Sequence, residues 1–127
     1  MSGPTYIFVT IFVSGLESGN STYLVSPVVV PKGISVVVWN LVTQWSANDI
    51  RATFLQDKGI NPDRSVEGLV VDDQFAWNPA GQTQWVVWFD NQVPKSVVSS
   101  YKINSGDSPG PDDPTIIFTT DPVIPPP

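Results

Sequence analysis

Apolar and polar positions along this chain follow strand spacing and nowhere hold a 3.6-residue repeat over a useful length. The stretch Pro31 to Leu41, PKGISVVVWNL, sets a proline and glycine turn directly before a β-branched run that ends in Trp39-Asn40. It reads as the central strand of a β-sandwich. Thr5 to Val13, TYIFVTIFV, is a strand by the same rule. Ser21 to Val30 contains Ser26-Pro27, and a proline inside a strand pattern confines it to an edge or a bulge. In Asp49 to Gln56, Ile50, Ala52 and Phe54 alternate with Arg51, Thr53 and Leu55, which is half-buried strand spacing. Asp57 to Glu67 is polar and broken by Gly59 and Pro62, so it reads as a long exposed connection. Gly68 to Trp77 and Gln82 to Asp90 form an antiparallel hairpin around Asn78-Pro79-Ala80-Gly81, whose residues fit a type I turn. Ser96 to Asn104 and Thr115 to Thr120 complete the strands, separated by the loop SGDSPGPDD. About eight short strands with turns between them predict an all-β, Greek-key sandwich. Residues 1–120 make one domain, and 121–127 a proline-rich tail that is extended.

Three of these strands are apolar on both sides. In Thr5 to Val13, Tyr6, Phe8 and Phe12 oppose Ile7, Val9, Ile11 and Val13; in Gly33 to Leu41, Ile34, Val36 and Val38 oppose Val37, Trp39 and Leu41. In Trp85 to Phe89, Trp85, Val87 and Phe89 oppose Val86 and Trp88. If the three share a sheet, its outer face needs a cover, because soluble monomers seldom leave such a patch bare. The cover is either the Asp57 to Glu67 connection or another subunit.

Composition removes most chemistry. The 127 residues contain neither cysteine nor histidine. That excludes disulfides, thiolate sites, imidazole metal ligands and every His-dependent triad. Twelve acidic against six basic residues give a net charge of −6, with the cations scattered, so nucleic acid and anionic membranes are not expected partners. No apolar run approaches the roughly 20 residues of a membrane span, and no Lys or Arg precedes Lys32 to form the positive start of a secretory signal. A cytoplasmic location is expected, with signal-independent export still open.

The order of features resembles small bacterial cupredoxin-like proteins. The resemblance rests on Pro31-Lys32-Gly33 before Ile34 to Asn40, on Phe54 with Lys58-Gly59-Ile60, on Tyr101-Lys102-Ile103, and on Asp112-Asp113-Pro114-Thr115-Ile116-Ile117. It covers most of residues 20–118 and implies a cupredoxin-like Greek-key sandwich. It does not imply copper, since a blue-copper site needs imidazoles and a thiolate. No cofactor is expected.

Three constellations remain. Trp45 and Trp77 lie beside predicted turns and near Asn48, Asp49, Asn78 and Gln82. Such a set can stack on a sugar face and take its hydroxyls, which makes a lectin-like glycan site one reading. The alternative is that Trp39, Trp85 and Trp88 fill the sandwich core and the loop tryptophans cap its ends. Asp107, Asp112 and Asp113 form a weak calcium candidate without the alternating spacing of calcium loops. Asp72 and Asp73, as neighbours in a strand, point to opposite faces and do not converge on one bond. A hydrolase is therefore the most remote reading, since only lysines could activate a hydroxyl. The sequence favours a non-catalytic module that works by binding or self-assembly, with a second copy or another protein as partner and a glycan as the alternative.

Overall fold

Gly33, at φ 103°, closes the Pro31-Lys32-Gly33 turn in a backbone region that suits glycine, and the chain runs from it into the strand that centres the molecule. The computed structural model describes residues 3–14, 22–43, 59–77, 83–103 and 105–122. Among them are nine strands and no helix: β1 (Thr5–Ser14), β2 (Thr22–Leu24), β3 (Val28–Val30), β4 (Gly33–Thr43), β5 (Ile60–Pro62), β6 (Leu69–Trp77), β7 (Thr83–Asn91), β8 (Val97–Ile103) and β9 (Thr115–Phe118). They form an all-β sandwich of one five-stranded sheet, ordered β2-β1-β4-β7-β6, and one four-stranded sheet, ordered β3-β9-β8-β5. Both sheets are mixed, because β1 runs parallel to β4 and β3 parallel to β9 while every other pairing is antiparallel. As expected, β4 lies in the middle.

The core forms where inward residues of both sheets meet. Val9 and Ile11 of β1, Val37, Trp39 and Leu41 of β4, and Val87 and Phe89 of β7 pack against Val28, Val30, Ile60, Tyr101, Ile103, Ile116 and Phe118 of the facing sheet. Trp39 meets Tyr101 edge-on with ring centroids 5.3 Å apart, and Phe89 meets Phe118 in the same way at 5.5 Å. One polar side chain ties the layers together at an end. Asn91, wholly buried at the end of β7, donates its amide N–H groups to the carbonyls of Val30, Pro31 and Thr119 at 3.0 Å each. Its Oδ1 accepts from the Val93 N–H at 3.2 Å, so both ends of the amide are engaged.

Two expectations change in detail. Ser21 to Val30 is not one strand. It divides at Ser26-Pro27 into β2 and β3, which lie at the edges of different sheets, and the proline acts as the switch between layers. Asp57 to Glu67 is not wholly an exposed connection, because Ile60–Pro62 pairs with Ile103 to Tyr101 at the edge of the four-stranded sheet. Gly59 makes that approach feasible: at φ 64°, it lies against the Trp85 indole where a Cβ would collide with the ring. Just beyond, the Asp63 carboxylate accepts from the Ser65 hydroxyl and backbone N–H at 2.6 and 2.9 Å. These bonds hold its carboxyl below the usual range. The predicted strand Asp49 to Gln56 and the turn Asn78 to Gly81 lie outside the described residues, although the hairpin of β6 and β7 is present.

Candidate functional site

The three double-faced strands are neighbours. β1, β4 and β7 adjoin in the five-stranded sheet, and the register aligns their outward residues in rows across it. Phe8 pairs with Val38, Val38 with Val86, and Val86 with Phe75. The next row runs Tyr6, Val36, Trp88 and Asp73, and one on the other side brings Phe12 between Leu24 and Val42. Thr10, Asn40 and Gln84 make a polar row between them.

This outer face has relief. Val36, Val38 and Val86 cluster with Trp88 on the side of the sheet away from the main core. They retain only 3%, 9% and 7% of their exposure. Around them stand Phe8 at 76% exposed, Tyr6 at 59%, Phe12 at 52% and Phe75 at 45%. A floor of short valines thus lies between taller aromatic side chains. The outer face of the facing sheet also carries an apolar row, Val29, Ile117 and Val98, with Lys102 beyond it ion-paired to Asp113 at 3.2 Å. The part of the Asp57 to Glu67 connection that is described packs into the sandwich, with Ile60 buried and Val66 against the main core. It does not lie over the valine floor.

Sequence reasoning put Trp88 in the sandwich core with Trp39 and Trp85, and the structure corrects this. Trp39 is fully buried, and Trp85 packs against the core while donating from Nε1 to Gln74 Oε1 at 3.2 Å. Trp88, an odd number of positions from Trp85, belongs to the outer cluster. A second correction concerns Asp72 and Asp73. The ladder of β6 slips between Val71 and Asp73, so Asp72 is the extra residue of a β-bulge. The inward positions shift from Leu69 and Val71 to Gln74 and Ala76, and both aspartates are exposed. Asp73 accepts from the Gln74 N–H at 2.8 Å.

The other predicted sites are not assembled among the described residues. Trp45, Asn48, Asp49, Asn78 and Gln82 fall outside them, and Trp77 is present only as the last residue of β6, paired with Gln84. Of the calcium candidates, Asp113 is engaged by Lys102 and by the Gly110 N–H at 2.6 Å, and Asp112 is exposed. Asp107 uses its backbone, accepting from Asn61 Nδ2 at 2.8 Å and donating to Ser105 Oγ. No group of three or more His, Cys, Asp or Glu placed to hold a metal occurs among the described residues.

Two further features escaped the sequence reading. A groove of about 510 Å³ opens beside β1, between Ile7 to Phe12 and the Leu24 to Val29 switch. It exists because β2 pairs only with Phe12 to Ser14 and leaves β1 to run on beside it. In the core, Ser35 Oγ, Trp39 Nε1 and Tyr101 OH are buried without a hydrogen-bond partner. Burial pushes the Tyr101 phenol up to about 12, and the nearby Trp39 N–H offsets only a part of that rise.

Compared with known proteins, the chain matches no protein-family model and no curated protein sequence.

Proposed function

We propose that this chain is a non-catalytic β-sandwich module that acts by association through the outer face of its five-stranded sheet. The observation that carries the reading is the exposure of Tyr6, Phe8, Phe12 and Phe75 around the Val36, Val38 and Val86 floor. Apolar patches on this scale mark interaction surfaces. The chemistry of the chain agrees: it has no imidazole or thiol, and Asp72 and Asp73 are exposed acids. A cupredoxin-like sandwich without copper remains our reading of its ancestry.

The test pairs an apolar fluorescent probe with mass measured against concentration. The face should bind the probe, and Phe8→Asp should weaken that binding severalfold without changing the near-ultraviolet circular dichroism. Tryptophan emission titrated with a panel of sugars should not shift. A chain that stays monomeric at all concentrations and also takes up no probe would sink the reading, and a saturable sugar response would replace it with the glycan one.

A further inference from the structure

The reading above leaves the partner open, and resting on it we propose that the occupant of the outer face is a second copy of this chain, docked sheet on sheet with the aromatic ridge of each β1 in the valine trough of the other's β4. The face carries both halves of its own complement. Phe8 and Val38 are directly paired neighbours on β1 and β4, one 76% exposed and the other 9%. A two-fold axis parallel to the strands and lying between β1 and β4 brings Phe8 of one copy over Val38 of the second, and Val38 over Phe8. Tyr6 and Val36 repeat the exchange one row along. That mutual relation is what an isologous interface requires.

Charge selects this arrangement among the ways two such faces can stack. The outward positions of β1 and β4 are Tyr6, Phe8, Thr10, Phe12, Ile34, Val36, Val38, Asn40 and Val42, without a single charge. The acidic residues lie toward the other side, as Asp90 on β7 and Asp72 and Asp73 on β6. With the axis between β1 and β4, β1 lies over β4, the short β2 falls past the Thr83 end of β7, and β6 projects beyond the overlap. The acidic edges then sit at opposite ends of the dimer. An axis across the strands would set them toward the same side, where two chains of net charge −6 repel.

The area is that of a modest interface. β1 and β4, about 4.8 Å apart and about 30 Å long, present roughly 300 Å² in projection, and the relief of the aromatic side chains raises the contact, which stays below the roughly 800 Å² per partner of a standard interface, as in a weak dimer. Stacked sheets keep about 10 Å between their backbones, room for a Phe over a Val.

Sedimentation equilibrium of the full chain, compared with Phe8→Asp, Val38→Trp and Asp73→Asn, tests the proposal. The unaltered chain should form a dimer. Phe8→Asp, which charges the ridge, and Val38→Trp, which fills the trough without adding charge, should each weaken it at least tenfold. Asp73→Asn, outside the overlap, should leave it unchanged or slightly tighter. A dimer that survives both Phe8→Asp and Val38→Trp uses another surface and overturns the proposal. A strict monomer that still binds the apolar probe overturns the second copy as occupant while keeping the association face; a strict monomer that binds no probe removes both. Near-ultraviolet circular dichroism of each variant verifies that the core stays folded, and if Val38→Trp unfolds, Phe8→Asp at its exposed position decides alone.

Discussion

Tyr101 is fully buried, and its hydroxyl finds no hydrogen-bond partner. Its pKa rises from an ordinary 10.0 to about 12 through burial, tempered by the Trp39 N–H. Below pH 10 both folded and unfolded chains keep the phenolic proton, so the contribution to stability is constant. Between about pH 10 and pH 12 the unfolded chain loses it while the folded chain retains it, and stability falls as pH rises. For this one residue the loss reaches about 2–3 kcal/mol by pH 12. Tyr23, partly buried and also near 12, adds a smaller slope of the same sign. Tyr101→Phe should therefore flatten the alkaline loss. At pH 7 it should leave stability unchanged or raise it by up to about 1 kcal/mol, since a buried hydroxyl without a partner is removed. Urea melts at pH 7 and pH 11 measure both effects; a drop of several kcal/mol at pH 7 would mean that the hydroxyl is bonded after all.

At the scale of elements, the bulge in β6 does the most with the least sequence. One extra residue, Asp72, moves the inward set from Leu69 and Val71 to Gln74 and Ala76, which lets Gln74 take the Trp85 N–H and keeps Phe75 outside. Asp72→Ala should change stability by no more than about 0.5 kcal/mol, as at an ordinary exposed site. Deleting Asp72 removes the extra residue, so Val71 and Asp73 become neighbours in a regular ladder and Asp73 to Trp77 keep the partners and faces they have now. That deletion should cost no more than about 1 kcal/mol, read by thermal and urea denaturation; a loss of several kcal/mol would show that the hairpin needs the extra local twist of the bulge. The same comparison separates what is legible in the sequence from what is not. β4 is legible because seven of its 11 residues are β-branched or aromatic and it begins at a glycine turn. The double-faced strands are legible too, since alternation alone assigns their two sides. β5 is hidden because its 3 residues, one of them proline, are too few to show a period. The bulge is hidden for a different reason: Asp72-Asp73 looks like ordinary alternation until its pairing partners are known. Trp88 goes astray only through counting, since its distance from Trp85 places it on the outer side.

For the whole molecule, charge and apolar surface oppose each other. A net charge of −6 acts against association of two copies, while the outer face favours it. Raising salt from about 0.01 M to about 0.15 M shortens the screening length from roughly 30 Å to roughly 8 Å. The dimer should tighten over that range, as sedimentation would record. Weakening instead would mean that ion pairs hold the copies together, against the charge-free overlap of β1 and β4. Within each copy, the cohesion of the two layers at one end passes through Asn91, whose amide serves the Val30, Pro31 and Thr119 carbonyls. A side-chain carboxylamide is chemically perishable. Its hydrolysis to aspartate would turn a donor into an anion facing three oxygens, so an ageing sample would come apart first at that end, between the β3 and β9 termini and β7, while the aromatic stack around Trp39 still held.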